Sequence, residues 1–178
     1  MNRFEERKEE ILQPIFFEAG AALYDCQSFE YCIAYLIYLF SRFGATEIDI
    51  SRAESILNDD EKRTAGQLIL LLKKHVTVSK KIEDGLIIAL QARNRLIHRY
   101  LIDNIERMTD QNEHKKITKE IRDLRAQVRK SCKQLDSFVR LIAEMLDGIQ
   151  ITQYESEIKV NFLKNTQKSH NSKKPKRA

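Results

Sequence analysis

Residues 117–145, which read ITKEIRDLRAQVRKSCKQLDSFVRLIAEM, decide the fold. Apolar side chains recur here at alternating steps of four and three, the heptad spacing of a helix that buries one stripe. The stripe consists of Ile117, Ile121, Leu124, Val128, Ser131, Leu135, Phe138, Ile142 and Met145, with Ser131 as its one polar member. Such a stripe fits either the long hairpin helix of an antiparallel bundle or a self-pairing coiled coil, and we prefer the bundle.

The remainder of the chain also predicts helices. Apolar periodicity and turn residues place them at 3–13, 15–43, 60–74, 80–108 and 112–148, with one helical turn near 51–57. Pro14 is expected to interrupt the first helix or to start the next one, and Gly44 is expected to stop the second. Ser79 is a candidate cap for the helix at 80–108. We find no convincing strand, so the predicted fold class is all-α, a four-to-five-helix antiparallel bundle with a long C-terminal hairpin helix.

The positive charge is concentrated at the C-terminal end. The 178-residue chain has a formal net charge of +5, yet seven of its 31 Lys and Arg residues follow residue 158, where no Asp or Glu occurs. Residues 1–158 therefore hold 24 basic and 26 acidic side chains, a body near −2. We expect a helical domain at 1–148 and a basic, disordered tail at 149–178. The tail could hold RNA through its phosphates or serve only as a solubilising end.

The sequence favours neither a membrane protein nor a metalloprotein. Its most apolar run, residues 31–40, is ten residues long and too short to span a bilayer. The charged N-terminus lacks the apolar stretch of a signal peptide. The three cysteines, Cys26, Cys32 and Cys132, show no metal-ligand spacing with the four histidines. We expect free thiols in a reducing compartment, hence a cytoplasmic protein with no metal and no cofactor.

One segment of the helix that precedes the heptad stripe carries groups suited to chemistry: residues 93–100, RNRLIHRY. On a regular helix, Asn94 and His98 share one shoulder of the apolar stripe, while Arg93 and Tyr100 share the other. Arg93 and His98 are then about 140° apart and poorly placed to bond each other within one helix. Two copies packed about a two-fold axis would bring each histidine near the other copy's arginine, which predicts an isologous dimer with a shared cleft.

These residue types match the requirements of metal-free RNA cleavage. A base must remove the proton of the 2′-hydroxyl, an acid must protonate the leaving 5′-oxygen, and positive charge must stabilise the phosphorane. An imidazole titrates near neutrality, so His98 suits the proton transfer. The permanently charged fork of Arg93 suits the phosphorane. Asn94 could fix the imidazole or contact phosphate, and Arg95 and Arg99 could guide the RNA backbone.

The segment from Arg93 to Tyr100 resembles the signature of HEPN domains (higher eukaryotes and prokaryotes nucleotide-binding). In that signature an arginine is followed by four to six residues, often beginning with Asn, Asp or His, and then by a histidine. The helix order from residue 15 to 148 is also similar to that family. The resemblance implies a bundle that dimerises through its motif helices and acts as a metal-independent ribonuclease in toxin–antitoxin, abortive-infection or CRISPR-linked defence. It implies Arg93, Asn94 and His98 as the catalytic set.

The continuation from His98 through Arg99 to Tyr100 resembles one subset of these toxins. Their partner is a nucleotidyltransferase antitoxin, which inactivates the toxin by attaching AMP to the tyrosine. The resemblance therefore implies Tyr100 as an AMP acceptor.

Two hypotheses about function compete, and a purely structural bundle is a third alternative. The first is an endoribonuclease toxin or defence effector that cleaves single-stranded RNA through a composite site at a homodimer interface. The second is a non-catalytic HEPN-like regulatory or protein-interaction module, which the slightly acidic body favours because such a body is unhelpful for holding RNA. On the second hypothesis His98 is a half-buried histidine on a helix shoulder, and Tyr100 packs against a neighbouring helix with its hydroxyl in water.

Overall fold

A computed structural model of the chain describes residues 3–44 and 48–146 and shows six α-helices and no strand within these ranges. The helices are α1 (Arg3–Arg42), α2 (Ile50–Leu57), α3 (Ala65–His75), α4 (Lys80–His98), α5 (Tyr100–Asp103) and α6 (His114–Leu146), with a 3₁₀ turn at Arg107–Thr109. The predicted all-α class is thereby confirmed. No described helix combines the length and the hydropathy needed to span a bilayer. The predicted tail at 149–178 and the predicted helix end at residue 148 lie outside the described residues.

The course of α1 differs from the prediction at Pro14. One helix continues through the proline where two helices, at 3–13 and 15–43, were predicted. Pro14 is exposed, so water can satisfy the carbonyl that its missing N–H leaves without a helical partner. The end of the helix is as predicted, because Gly44 adopts a φ of +67°, the left-handed conformation that glycine takes at helix C-termini.

The starts of the next three helices are set by side chains that accept hydrogen bonds from free backbone N–H groups. Asp49 caps α2 in this way at 2.8 Å. Thr64 and Gln67 form a reciprocal capping box at α3. Ser79, the predicted cap of α4, accepts a bond from the third residue of that helix at 3.4 Å.

The chain divides into two compact units. The first unit combines α1 as far as Glu30 with Asp84–Lys133, a range that holds most of α4, all of α5 and the first part of α6. The second unit combines Tyr31–Glu83 with the remainder of α6. In the core of the second unit the ring of Phe40 packs against that of Phe138, with the centroids 5.6 Å apart.

Within the first unit α6 runs parallel to α1. Glu18 and Asp25 lie two turns apart on α1. Glu18 pairs with Arg122 at 2.7 Å, and Asp25 lies 4.0 Å from Arg129, so the partners follow the same order along α6. Both carboxylates are buried, and the pairing fixes the register of the two helices.

The direction of α4 in this unit is opposite to that of α6. Near the start of α4, the carbonyl of Gly85 accepts a hydrogen bond from Ser131 at 2.9 Å. Just beyond the end of α4, the hydroxyl of Tyr100 lies 3.3 Å from the carbonyl oxygen of Ile117. The bond to Gly85 also explains how a polar member of the heptad stripe can be buried, since the carbonyl gives the Ser131 hydroxyl a hydrogen-bond partner.

The heptad stripe of α6 is buried within the chain. Seven of its nine members are buried, whereas Leu124 is half-buried and Met145 is exposed. The stripe therefore packs against other helices of the same chain, as expected of a bundle helix rather than of a self-pairing coiled coil.

Candidate active site

α4 ends at His98, inside the segment that was predicted to carry the chemistry. The predicted continuous helix at 80–108 is therefore wrong. Arg99 takes a φ of −132° and a ψ of −36°, and Tyr100 begins α5. Beyond the break the side chain of Tyr100 is in the core, 1% exposed, and the amide of Asn104 donates to the carbonyl of Tyr100 at 2.7 Å. Burial of a large aromatic ring and this hydrogen bond outweigh the local helical pattern.

Arg93, Asn94 and His98 meet at the end of α4. Nη1 of Arg93 lies 3.1 Å from Oδ1 of Asn94 and 2.9 Å from Nε2 of His98. The prediction that Arg93 and His98 are poorly placed within one helix is therefore wrong. The angle of about 140° describes the directions of the two Cβ atoms, whereas the long arginine side chain reaches along the helix surface to the next turn. Their approach requires no second copy of the helix.

The contact assigns a role to each of the two groups. A guanidinium can only donate, so Nε2 of His98 accepts the hydrogen bond and the neutral imidazole carries its proton on Nδ1. His98 and Asn94 are exposed, whereas the side chain of Arg93 is only 14% exposed. The arrangement places an exposed imidazole beside a fixed positive charge.

Glu30 on α1 holds the other side of the Arg93 guanidinium. Its Oε1 accepts a hydrogen bond from Nε of Arg93 at 2.5 Å. Glu30 was not among the residues predicted from the sequence. The two residues are 63 positions apart, and a pairing over that distance leaves no periodic pattern in the chain from which it could be predicted.

Cys26 is close enough to Arg93 and Glu30 for both charges to act on its thiol. It is 1% exposed, and burial raises the pKa of the thiol to about 11. The group therefore stays protonated at neutral pH and is no nucleophile. The three cysteines form no disulfide, and the described residues contain no cluster of three or more His, Cys, Asp or Glu side chains that could hold a metal ion.

Tyr100 packs in the core of the first unit with its hydroxyl away from water. The hydroxyl donates to Oε2 of Glu120 at 2.6 Å. Burial, followed by the hydrogen bond and the charge of Glu120, raises the pKa of Tyr100 well above its ordinary value. The non-catalytic hypothesis predicted that Tyr100 packs against a neighbouring helix with its hydroxyl in water. The packing agrees with that prediction, but the hydroxyl is buried. An AMP acceptor needs an accessible hydroxyl, so this burial opposes the acceptor role, which stays a prediction.

Replacing Tyr100 with phenylalanine is expected to lower the free energy of unfolding by about 1–2 kcal/mol, because the ring stays buried while a hydrogen bond to a carboxylate is lost. The cost stays moderate since Glu120 keeps its pairing with Arg107 at 2.9 Å. Urea unfolding followed by circular dichroism measures the difference. Tyr24→Phe is the matched control at a side chain that is 71% exposed, and it should change stability by less than about 0.5 kcal/mol. Equal stability of the two variants would contradict the buried bond.

Arg95 and Arg99 are exposed, and both have local partners. The guanidinium of Arg95 lies over the ring of Tyr100, 5.6 Å from its centroid. Arg99 pairs with Asp103 at 3.2 Å, and both side chains are largely in solvent. Ion pairs of this kind are weak, so a phosphate can compete with Asp103 for Arg99.

No known protein family, curated protein or solved structure matches this chain. The resemblance to HEPN domains is therefore carried by residues 93–100, and what those residues can do follows from their geometry.

Proposed function

We propose that the protein is a metal-independent endoribonuclease, a toxin or defence effector of the HEPN type that cleaves single-stranded RNA in the cytoplasm. One observation carries the proposal: Arg93 contacts both Asn94 and His98 at an exposed helix end. A permanent cation, a polar amide and a neutral imidazole are thus within reach of one phosphate group. Two more cations, Arg95 and Arg99, lie within the next residues of the chain to bind the RNA backbone.

In the proposed reaction an RNA phosphate replaces Nε2 of His98 as the acceptor for Nη1 of Arg93. The lone pair of Nε2 is then free to remove the proton of the 2′-hydroxyl, whose oxygen attacks the adjacent phosphorus. Arg93 stabilises the negative charge that builds up on the phosphorane, and Asn94 orients the imidazole or the phosphate. The bond to the 5′-oxygen breaks and leaves a 2′,3′-cyclic phosphate.

The departing 5′-oxygen needs a proton, and His98 is the one histidine that the described part of the chain brings to this group. We infer that a second copy of the chain supplies the acid through its own His98 in the protonated, imidazolium form, which returns to neutral imidazole as the 5′-oxygen takes its proton, so that the cleft is shared between two copies. In this arrangement the arginine and the base come from one chain and the acid from the other.

The proposal is tested by RNA cleavage in EDTA. We expect the wild-type protein to cleave and to leave 2′,3′-cyclic ends, and His98→Ala to lose cleavage because the base is gone. His114→Ala is the matched control, since His114 begins α6 and hydrogen-bonds the carbonyl of Met108 at 2.7 Å. Its rate should equal that of the wild type. Equal cleavage by His98→Ala, or cleavage that requires added metal, would refute the proposal.

A second candidate function is a non-catalytic protein-interaction module. A group of large apolar side chains on α1 favours it: Phe16, Phe17, Leu23 and Tyr24 are between 47% and 72% exposed. Contiguous exposed apolar residues of this size mark interaction surfaces, and a nucleotidyltransferase antitoxin would be one such partner. Binding of that protein that is lost in Phe17→Glu and unchanged in His98→Ala would favour the module over the nuclease.

A further inference from the structure

We propose that Glu30 is a positioning residue of this site, which keeps the guanidinium of Arg93 in contact with His98 by holding its Nε. Glu30 acts through Arg93 and touches no reacting group. The consequence for catalysis rests on the proposed nuclease, whereas the orientation of the guanidinium is a property of the folded protein and is measurable without RNA.

The atom that Glu30 holds decides what Arg93 can still do. A guanidinium carries one N–H on Nε and two on each terminal nitrogen. Glu30 takes the one on Nε, and Nη1 serves Asn94 and His98. Nη2 has no hydrogen-bond partner among the described residues. A carboxylate that bound both terminal nitrogens would occupy the fork that a phosphate needs. Binding at Nε leaves that fork to the substrate.

Arg93 needs such support because its side chain is long and freely rotating, and it loses rotamer entropy on ordering. A charge-assisted hydrogen bond to a carboxylate that is only 26% exposed offsets this loss. Asp25, the preceding acidic residue of α1, cannot take over, since it is engaged by Arg125 at 2.8 Å. Without Glu30 the guanidinium should therefore leave His98 for solvent.

Two substitutions distinguish the effect of the side-chain length of Glu30 from the effect of its charge. Glu30→Asp keeps the charge but is one methylene too short, and we expect kcat to fall by about 10–100-fold with little change in KM, because the guanidinium is displaced. Glu30→Gln keeps the reach and an acceptor oxygen, and it should retain most of the activity. Asp136→Asn is the matched control. It removes the carboxylate of an exposed pair with Arg140 at 2.9 Å on α6, and it should change neither constant.

Nitrogen NMR of the His98 imidazole at about pH 8, where an ordinary imidazole is neutral, provides a readout that is independent of activity. The signal is assigned by its absence in His98→Ala. We expect the proton on Nδ1 in the wild type and in Glu30→Gln, and a shift toward the ordinarily favoured Nε2–H form in Glu30→Asp. A wild-type protein that cleaves no RNA would remove the nuclease but leave this shift to support the positioning role. An unchanged tautomer in Glu30→Asp would overturn the positioning role, whatever the activity.

Discussion

Arg125→Met is expected to lower the free energy of unfolding by about 2–4 kcal/mol, because it removes the cation that two buried carboxylates share. Nε of Arg125 donates to Asp25 at 2.8 Å, and its Nη1 donates to Glu18. The two acidic residues are 9% and 4% exposed, so water cannot replace the guanidinium. The more exposed Arg122 and Arg129 remain close to them, which limits the loss.

The size of this loss should depend on pH. Burial alone would raise the pKa of Glu18, but the hydrogen bonds and charges of Arg122 and Arg125 outweigh it and hold the pKa below its ordinary value of 4.5. A carboxyl group with a lower pKa in the folded state stabilises the protein above its unfolded pKa, and this contribution is lost as the pH falls toward the folded pKa. The difference in the free energy of unfolding between wild type and Arg125→Met should therefore be largest at pH 7 and should decrease below about pH 4.5.

Unfolding in guanidinium chloride at pH 7 and near pH 4 measures both effects. Arg140→Met is the matched control on the same helix, because Arg140 is 71% exposed and its partner Asp136 is 51% exposed. An exposed pair of this kind contributes little, so the control should lose less than about 1 kcal/mol. The shared-cation explanation is wrong if the two variants lose the same free energy at pH 7, or if the loss in Arg125→Met grows toward low pH.

The helices could be predicted from the sequence because their signals are local. The stripe of α6 repeats at a fixed spacing, and Gly44 and Ser79 act on the backbone within a few residues of themselves. The errors in helix bounds at Pro14 and at Arg99 have a common cause. At Pro14 the helix continues because the proline is exposed and solvent can satisfy the backbone. At Arg99 the helix stops because Tyr100 packs into the core against a distant helix. In both places these contacts outweigh the helical preference of the local sequence.

The residues of the candidate site stay a prediction from the sequence, and their mutual geometry could not be predicted from it. Arg93, Asn94 and His98 were predicted from residue type and spacing. A helical projection places Cβ atoms only, so it could not show that the Arg93 side chain spans the distance to His98. Glu30 comes from another helix, and only tertiary packing brings it to Arg93.

Arg93→Gln and His98→Ala should each reduce RNA cleavage by about 10²–10⁴-fold, since one removes the charge that stabilises the phosphorane and the other removes the base. We expect that combining the two variants restores nothing. Because Arg93 contacts His98 within one chain, a mixed dimer of the two variants holds no chain with both groups. The measurement is the cleavage rate of the two variants co-expressed with different affinity tags and purified through both.

The control is the wild type co-expressed with Arg93→Gln, which should keep about half of the wild-type rate because one of its two sites is complete. Recovery of about half of the wild-type rate by the mixed Arg93→Gln and His98→Ala dimer would contradict pairing within one chain. That result would restore the arrangement in which each histidine serves the other copy's arginine. Failure to recover any doubly tagged complex would instead contradict the proposal that a second copy of the chain takes part in the site. The acid for the 5′-oxygen would then have to come from another group of the same chain or from water.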